Sequence, residues 1–251
     1  MISWSPWPLM VASGGFMMAT GLVQFLYGMS MEGLIMGVSV VGVSLGCWFR
    51  DVTREGVWGY HSSHMEKAFK EGFFLFLASE VMFFFSLFWA FFHMSLAPDM
   101  NVMCVWPPLG VRTFRPWRVP LYATLVLIAS GCSIQYAHSS VRIGHRSNAI
   151  LGVICTIFLA VLFLRLQSHE YYWASFSMTD SVYGSVFFIL TGFHGMHVMF
   201  GSGFLLVTLW RLIRGDFTRK KYYGFSVCSW YWHFVDWVWI FMWLSLYFWS
   251  S

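Results

Sequence analysis

The sequence predicts an all-α integral membrane protein with seven transmembrane helices. Three observations carry that prediction. Hydrophobic residues make up 58% of the 251 and charged residues 10%, whereas soluble domains carry about 25% charged residues. So few charges cannot cover a water-facing globule. Predominantly apolar runs stand at 8–28, 33–50, 71–97, 119–141, 147–167, 178–211 and 223–249, against the roughly 20 residues that one bilayer crossing needs. Finally, the charges between the runs are asymmetric. With the N-terminus inside, the intervals 50–70, 142–146 and 211–221 hold eleven of the fifteen Lys and Arg, and the outer side holds Arg112, Arg115, Arg118 and Arg165. That is the positive-inside pattern. Six spans, with the miscount between those intervals, would put the last two basic intervals on opposite sides.

The opening MISWSPWPLM has neither the basic start of a secretory signal nor an Arg/Ser-rich transit pattern, so the chain is expected to insert as it stands. The polar interval 50–70 divides one membrane domain, 1–251, into a two-helix unit (1–60) and a five-helix unit (61–251). The third run contains Glu80 within FFLFLASEVMFFFSLFWAFFHMSL. An ionised carboxylate at that depth costs at least ~2.5 kcal/mol unless paired or hydrated. Two readings stay open: a protonated Glu80 bonded to a neighbouring helix, or a titratable group at a lipid- or water-lined cleft. The 71–97 and 178–211 runs exceed one bilayer thickness and should tilt or project.

Outside, 98–120 is proline-rich, aromatic and basic, which predicts a rigid surface loop. It suits docking to protein or lipid head groups, or simple interfacial anchoring. His93 ends the third run, placed to cap it or to bond that loop. Glu170 and Asp180 fall at the outer edge, where solvated charge is expected. The sixth run concentrates Gly184, Ser185, Gly192, Gly195, Gly201, Ser202 and Gly203, which lets helix backbones approach closely in lipid. Five scattered cysteines form no C-x-x-C pair, and four sit in spans as small apolar packing. No internal repeat suggests the inverted halves of a transporter.

His194 and His197 share a helix face, but a protein metal site needs three or four ligands. No acidic or cysteine cluster matches their depth, so hydrogen bonds across helices are the expected role. His233 and Asp236 stand one turn apart on the last run, as an ion pair, a hydrogen-bonded pair, or with a donor on another helix. No nucleophile–base set, phosphate loop or nucleotide site is visible, and a net charge of +4 is too small and dispersed for nucleic acid.

Eight ordered motifs nevertheless resemble the family of subunit III of cytochrome c oxidase, the haem-copper oxidase subunit 3 family. They are WFRDVTRE (48–55), SEVMFF (79–84), FWAFFHMSLAP (88–98), WPP (106–108), EY (170–171), DSVYGSVFF (180–188), TGFHGMHV (191–198) and WYWHFVD (230–236). The resemblance implies two-helix and five-helix bundles around a V-shaped lipid cleft. It also implies haem a and copper in companion subunits I and II, with accessory oxidase subunits and bound phospholipids as further partners. No metal or redox centre is implied in this chain. The implied role is to stabilise a proton-pumping oxidase and support proton uptake in the mitochondrial inner membrane, N-terminus on the matrix side. By position, Glu80 is the proton-related candidate beside the cleft with Trp89, and His61, Lys70, Arg211 and Thr218 lie near lipid phosphates. Lys70 replaces a frequent arginine and loses its bidentate fork. Tyr60, Ser139, Ser226 and Asp216 also depart from the common pattern. The rival readings are subunit III of a quinol oxidase, whose relatives commonly have five spans, and a multi-span transporter.

Overall fold

The structure, a computed structural model, describes residues 4–100, 103–219 and 221–250; Lys220, counted above among the inner cations, lies outside them. Its long helices are α1 (Trp7–Leu26), α2 (Glu32–Val57), α3 (Ser63–Leu96), α4 (Val119–Ile143), α5 (Arg146–Tyr172), α6 (Val182–Arg214) and α7 (Tyr223–Met242). A π-helix, Trp243–Trp249, extends α7. Among the described residues there is no strand. Six helices among the described residues, α1 to α6, are long and apolar enough to cross a membrane. The seventh expected span misses that test because α7 is rich in tryptophan and tyrosine, whose polar N–H and O–H groups lower its hydropathy, and contains His233 and Asp236.

At 1.5 Å rise per residue, the 34 residues of α3 and the 33 of α6 reach about 50 Å, well beyond a ~30 Å hydrocarbon core. The expected polar interval 50–70 is mostly helix, leaving 58–62 between α2 and α3. Hydropathy locates the part of a helix that suits lipid, whereas helical hydrogen bonding continues past it. Gly144 (φ +94°) and Gly215 (φ +82°) end α4 and α6 in the left-handed conformation that glycine adopts freely. Arg146 adds to the second stop. Its Nε donates to Leu212 O at 2.8 Å, and its Nη2 donates to Ile213 O. A cation there also suits the negative helix end.

The chain divides into two compact units, Met1–Ala68 and Phe69–Ser251, with the boundary inside α3. In the first, α1 and α2 form a hairpin whose buried residues are Gly14, Gly21, Gly37 and Ser44. A Cβ on Gly21 would run into the Gly33–Leu34 backbone, and one on Gly37 into Met18. The Trp7 indole donates to Asp51 Oδ2 at 2.8 Å.

The second unit has an aromatic core that includes Phe91, Phe163, Phe187, Trp232, Trp239 and Tyr247. Polar bonds cross it: Trp232 Nε1 to Ser130 Oγ (2.9 Å), Trp239 Nε1 to Thr124 Oγ1 (3.0 Å), and the Ser133–Thr156 hydroxyl pair (2.7 Å). The small residues of α6 divide in use. Gly201 lies against the Trp232 ring and Gly184 against Ser177 O, whereas a Cβ on Gly195 or Gly203 would meet nothing. The expected close-packing stripe is therefore only partly a contact face.

Candidate functional site

Glu80 lies on α3, 17 residues into that helix, and its partner is on α6. Glu80 Oε2 stands 2.8 Å from His197 Nε2. His197 Nδ1 is 2.8 Å from the carbonyl oxygen of Phe193, one turn back on its own helix. A carbonyl only accepts, so Nδ1 carries a hydrogen. That assignment governs the other nitrogen. With neutral imidazole, Nε2 is a bare acceptor and Glu80 donates; with imidazolium, Nε2 donates to a carboxylate. Either way the Glu80–His197 line holds a single proton and the pair is neutral overall, which suits a low-dielectric site. Phe84, which is buried, and Tyr231 flank the imidazole at ring distances of 5.1 and 6.5 Å. The Glu80 side chain remains 22% exposed and that of His197 10%. Of the two readings left open, the bond to a neighbouring helix is present.

His194 is separate. It is buried on α6, its Nε2 donates to Val235 O at 3.2 Å, and its ring lies against Trp239. Both histidines bond across helices. Among the described residues no group of three or more His, Cys, Asp or Glu gathers as a metal would require.

Lys70, Trp89, Arg211 and Thr218, in the same unit as the pair, meet other neighbours, and His61 belongs to the first unit. Trp89 is nine residues beyond Glu80, which turns it about half a revolution round α3 and carries it ~13 Å along. It is exposed, with its ring against Phe85. Lys70 holds its ammonium 5.5 Å from the Trp230 ring and 5.9 Å from Phe74. His61 Nε2 is 4.0 Å from Glu55 Oε2. Arg211 is half-buried over Phe217 (4.4 Å) and 3.7 Å from Asp216, which also approaches Arg214. Asp216 thus neutralises Arg211 from within the chain. Thr218 lines a 260 Å³ cavity with Arg146 and Arg219, and its hydroxyl accepts from Lys221 N at 3.1 Å. Ser226 is seen to meet His138, at 3.1 Å.

One sequence expectation changes. Glu170, taken as solvated, is 2% exposed and accepts from Tyr247 at 3.1 Å. The loop 103–118 places Phe114 beside Phe187 and Tyr247, the residue that bonds Glu170. Asp180 is exposed as expected; the amide of Ser177, and then its side chain, hold the Asp180 carboxyl below the usual range. His233 and Asp236 approach only to 3.9 Å, and Asp236 Oδ1 is buried with no hydrogen-bond partner. Gly131 on α4 leaves the room that this carboxylate fills.

A sequence model described as Cytochrome c oxidase subunit III matches residues 1–251. Among curated proteins, "Cytochrome c oxidase subunit 3" of Equus caballus is 45% identical, covering all of this chain and 97% of that protein. The protein of that name from Locusta migratoria is 43% identical, over all of this chain and 96% of its own length. The one from Prototheca wickerhamii is 40% identical, over 98% and 95%.

Proposed function

The chain belongs to the cytochrome c oxidase subunit III family and is a subunit of that respiratory enzyme complex, and from that premise we propose that it acts as a non-redox buttress whose Glu80–His197 pair holds one proton for the complex. Haem a and copper are assigned to subunits I and II, which this chain supports, and cytochrome c to the role of electron donor. The single observation that carries the proton role is the Glu80–His197–Phe193 line: two contacts of 2.8 Å, one end fixed by a carbonyl, the other partly exposed. Paired ionisable groups within transmembrane helices mark proton relays. Moving the proton along this line leaves the pair's net charge unchanged, and giving it up leaves one negative charge on the partly exposed Glu80 carboxylate.

The same proposal covers lipid and location. His61, Lys70, Arg211 and Thr218 are read as inner-side head-group contacts, with Trp89 against acyl chains. Arg and Lys attract phosphate where head groups lie. The Asp216 ion pair weakens that attraction at Arg211, so Thr218, with Arg146 and Arg219 beside it, is the stronger phosphate site. The loop charges support an N-terminus on the matrix side of the mitochondrial inner membrane.

The test uses the purified oxidase. A hydrophobic carbodiimide, which reacts with a protonated carboxyl, should label Glu80, and Glu80→Gln should abolish the label. That variant should slow proton uptake while oxygen turnover persists at first and then decays faster than in the parent. His197→Gln keeps a hydrogen-bonding group but cannot hold the shared proton, so it should reproduce the uptake defect. A defect confined to Glu80→Gln, or labelling unchanged by it, defeats the proposal.

A further inference from the structure

A second polar site lies at the outer end of the five-helix unit. A cavity of 330 Å³, at the small end of the range for ligand sites, is lined by Arg112, Arg115, Arg118, His169, Glu170 and Trp173 among others. Its two sides differ in sign. On one are the three arginines, none of which forms an ion pair among the described residues. Beside them Val119 and Pro120 open α4, whose first turn presents the positive end of the helix dipole. On the other are His169 and Glu170, in the last turn of α5 at the negative end of that helix.

Glu170 gives the second, independent sign of a ligand. It is 2% exposed, Tyr247 occupies its Oε2, and its Oε1 is buried with no hydrogen-bond partner. A buried acceptor left without a donor is costly, and a ligand donor would relieve it. The arginines are held in place by what separates them. Phe114 stacks on Phe187 at 5.6 Å, Trp117 lies against Trp243 at 5.8 Å, and Ser175 Oγ donates to Arg112 O at 3.2 Å. The site is built rather than draped.

The geometry points to a site for a phosphate group that carries an amine: phosphate between the arginines and the α4 start, ammonium at Glu170. This is the chemistry of a phosphoethanolamine head group. It has two sources, an outer-leaflet phosphatidylethanolamine or a soluble phosphoethanolamine.

The experiment takes the purified oxidase, with its subunits confirmed present, exchanged into micelles containing equal amounts of phosphatidylethanolamine, phosphatidylcholine and phosphatidylglycerol. Retained lipid is counted by native mass spectrometry. The parent should keep one more phosphatidylethanolamine than the Arg112→Gln/Arg115→Gln variant. Glu170→Gln, which preserves shape, should lower the preference for phosphatidylethanolamine over phosphatidylglycerol by about tenfold, as a charged hydrogen bond implies. If no lipid is retained but O-phosphoethanolamine binds in an arginine-dependent way, the site stands with a soluble source. Equal phosphatidylethanolamine retention in parent and variants, with no O-phosphoethanolamine binding, overturns it. So does inorganic phosphate binding as tightly as O-phosphoethanolamine, or a density map placing a neighbouring subunit's acidic side chain in the cavity.

Discussion

The α1–α2 hairpin and the bundle of α4 to α7 solve one problem by opposite means. Lipid tails give two apolar helices little reason to associate, so contact must come from packing and polar bonds. The hairpin brings backbones together: what it buries is glycine and serine, while Leu9, Phe16, Leu26 and Phe49 point outward. The bundle buries its largest side chains instead, Trp232 and Trp239 foremost, and bonds each indole to a hydroxyl on α4. A backbone seam depends on the absence of atoms. An aromatic core depends on their presence.

Substitutions separate the two designs. Gly21→Leu places a side chain in the Gly33–Leu34 backbone, where no rotamer relieves the clash; the expected loss is about 3 kcal/mol or more. Loss of protease protection across residues 27–31 in the assembled oxidase measures it. Gly131→Ala is next. Its Cβ would lie 2.8 Å from Asp236 Oδ2, and a carboxylate displaced within the bundle should cost ~1–3 kcal/mol by denaturant titration. Trp239→Phe keeps most of the ring but removes its bond to Thr124, a loss of about 0.6–1.7 kcal/mol for an interhelical bond in membranes. Gly195→Ala meets no atom and should stay within about 0.5 kcal/mol. Equal effects from Gly21→Leu and Gly195→Ala would erase the distinction.

Helix number and order were readable from apolar runs because each crossing has to be apolar, whatever it packs against. The ends of α2 and α3 were not, since Arg54, Glu55, Glu66 and Lys67 are as acceptable in a projecting helix as in a loop. Glu80 and His197 were each conspicuous, as lone polar groups in apolar helices. Their pairing spans 117 positions, and no local periodicity joins them. Glu170 misled for a related reason: hydropathy placed it at the outer edge, whereas it is buried with a partner, Tyr247, that is remote in sequence. Spacing did bring His233 and Asp236 near, but at 3.9 Å the acid still lacks a bond at Oδ1. Tertiary partners decide what a sequence leaves open.

The π-helical ending has one more consequence. Hydrogen bonding from i to i+5 fits surplus chain into a given axial length, and within that stretch Leu246 O accepts from Tyr183 while Tyr247 reaches Glu170. The tail therefore carries slack. Excising one amino acid near Leu244 would let the wide coil tighten to an ordinary one with its tyrosine still anchored, whereas the same excision in α5 would swing every later side chain by about 100°.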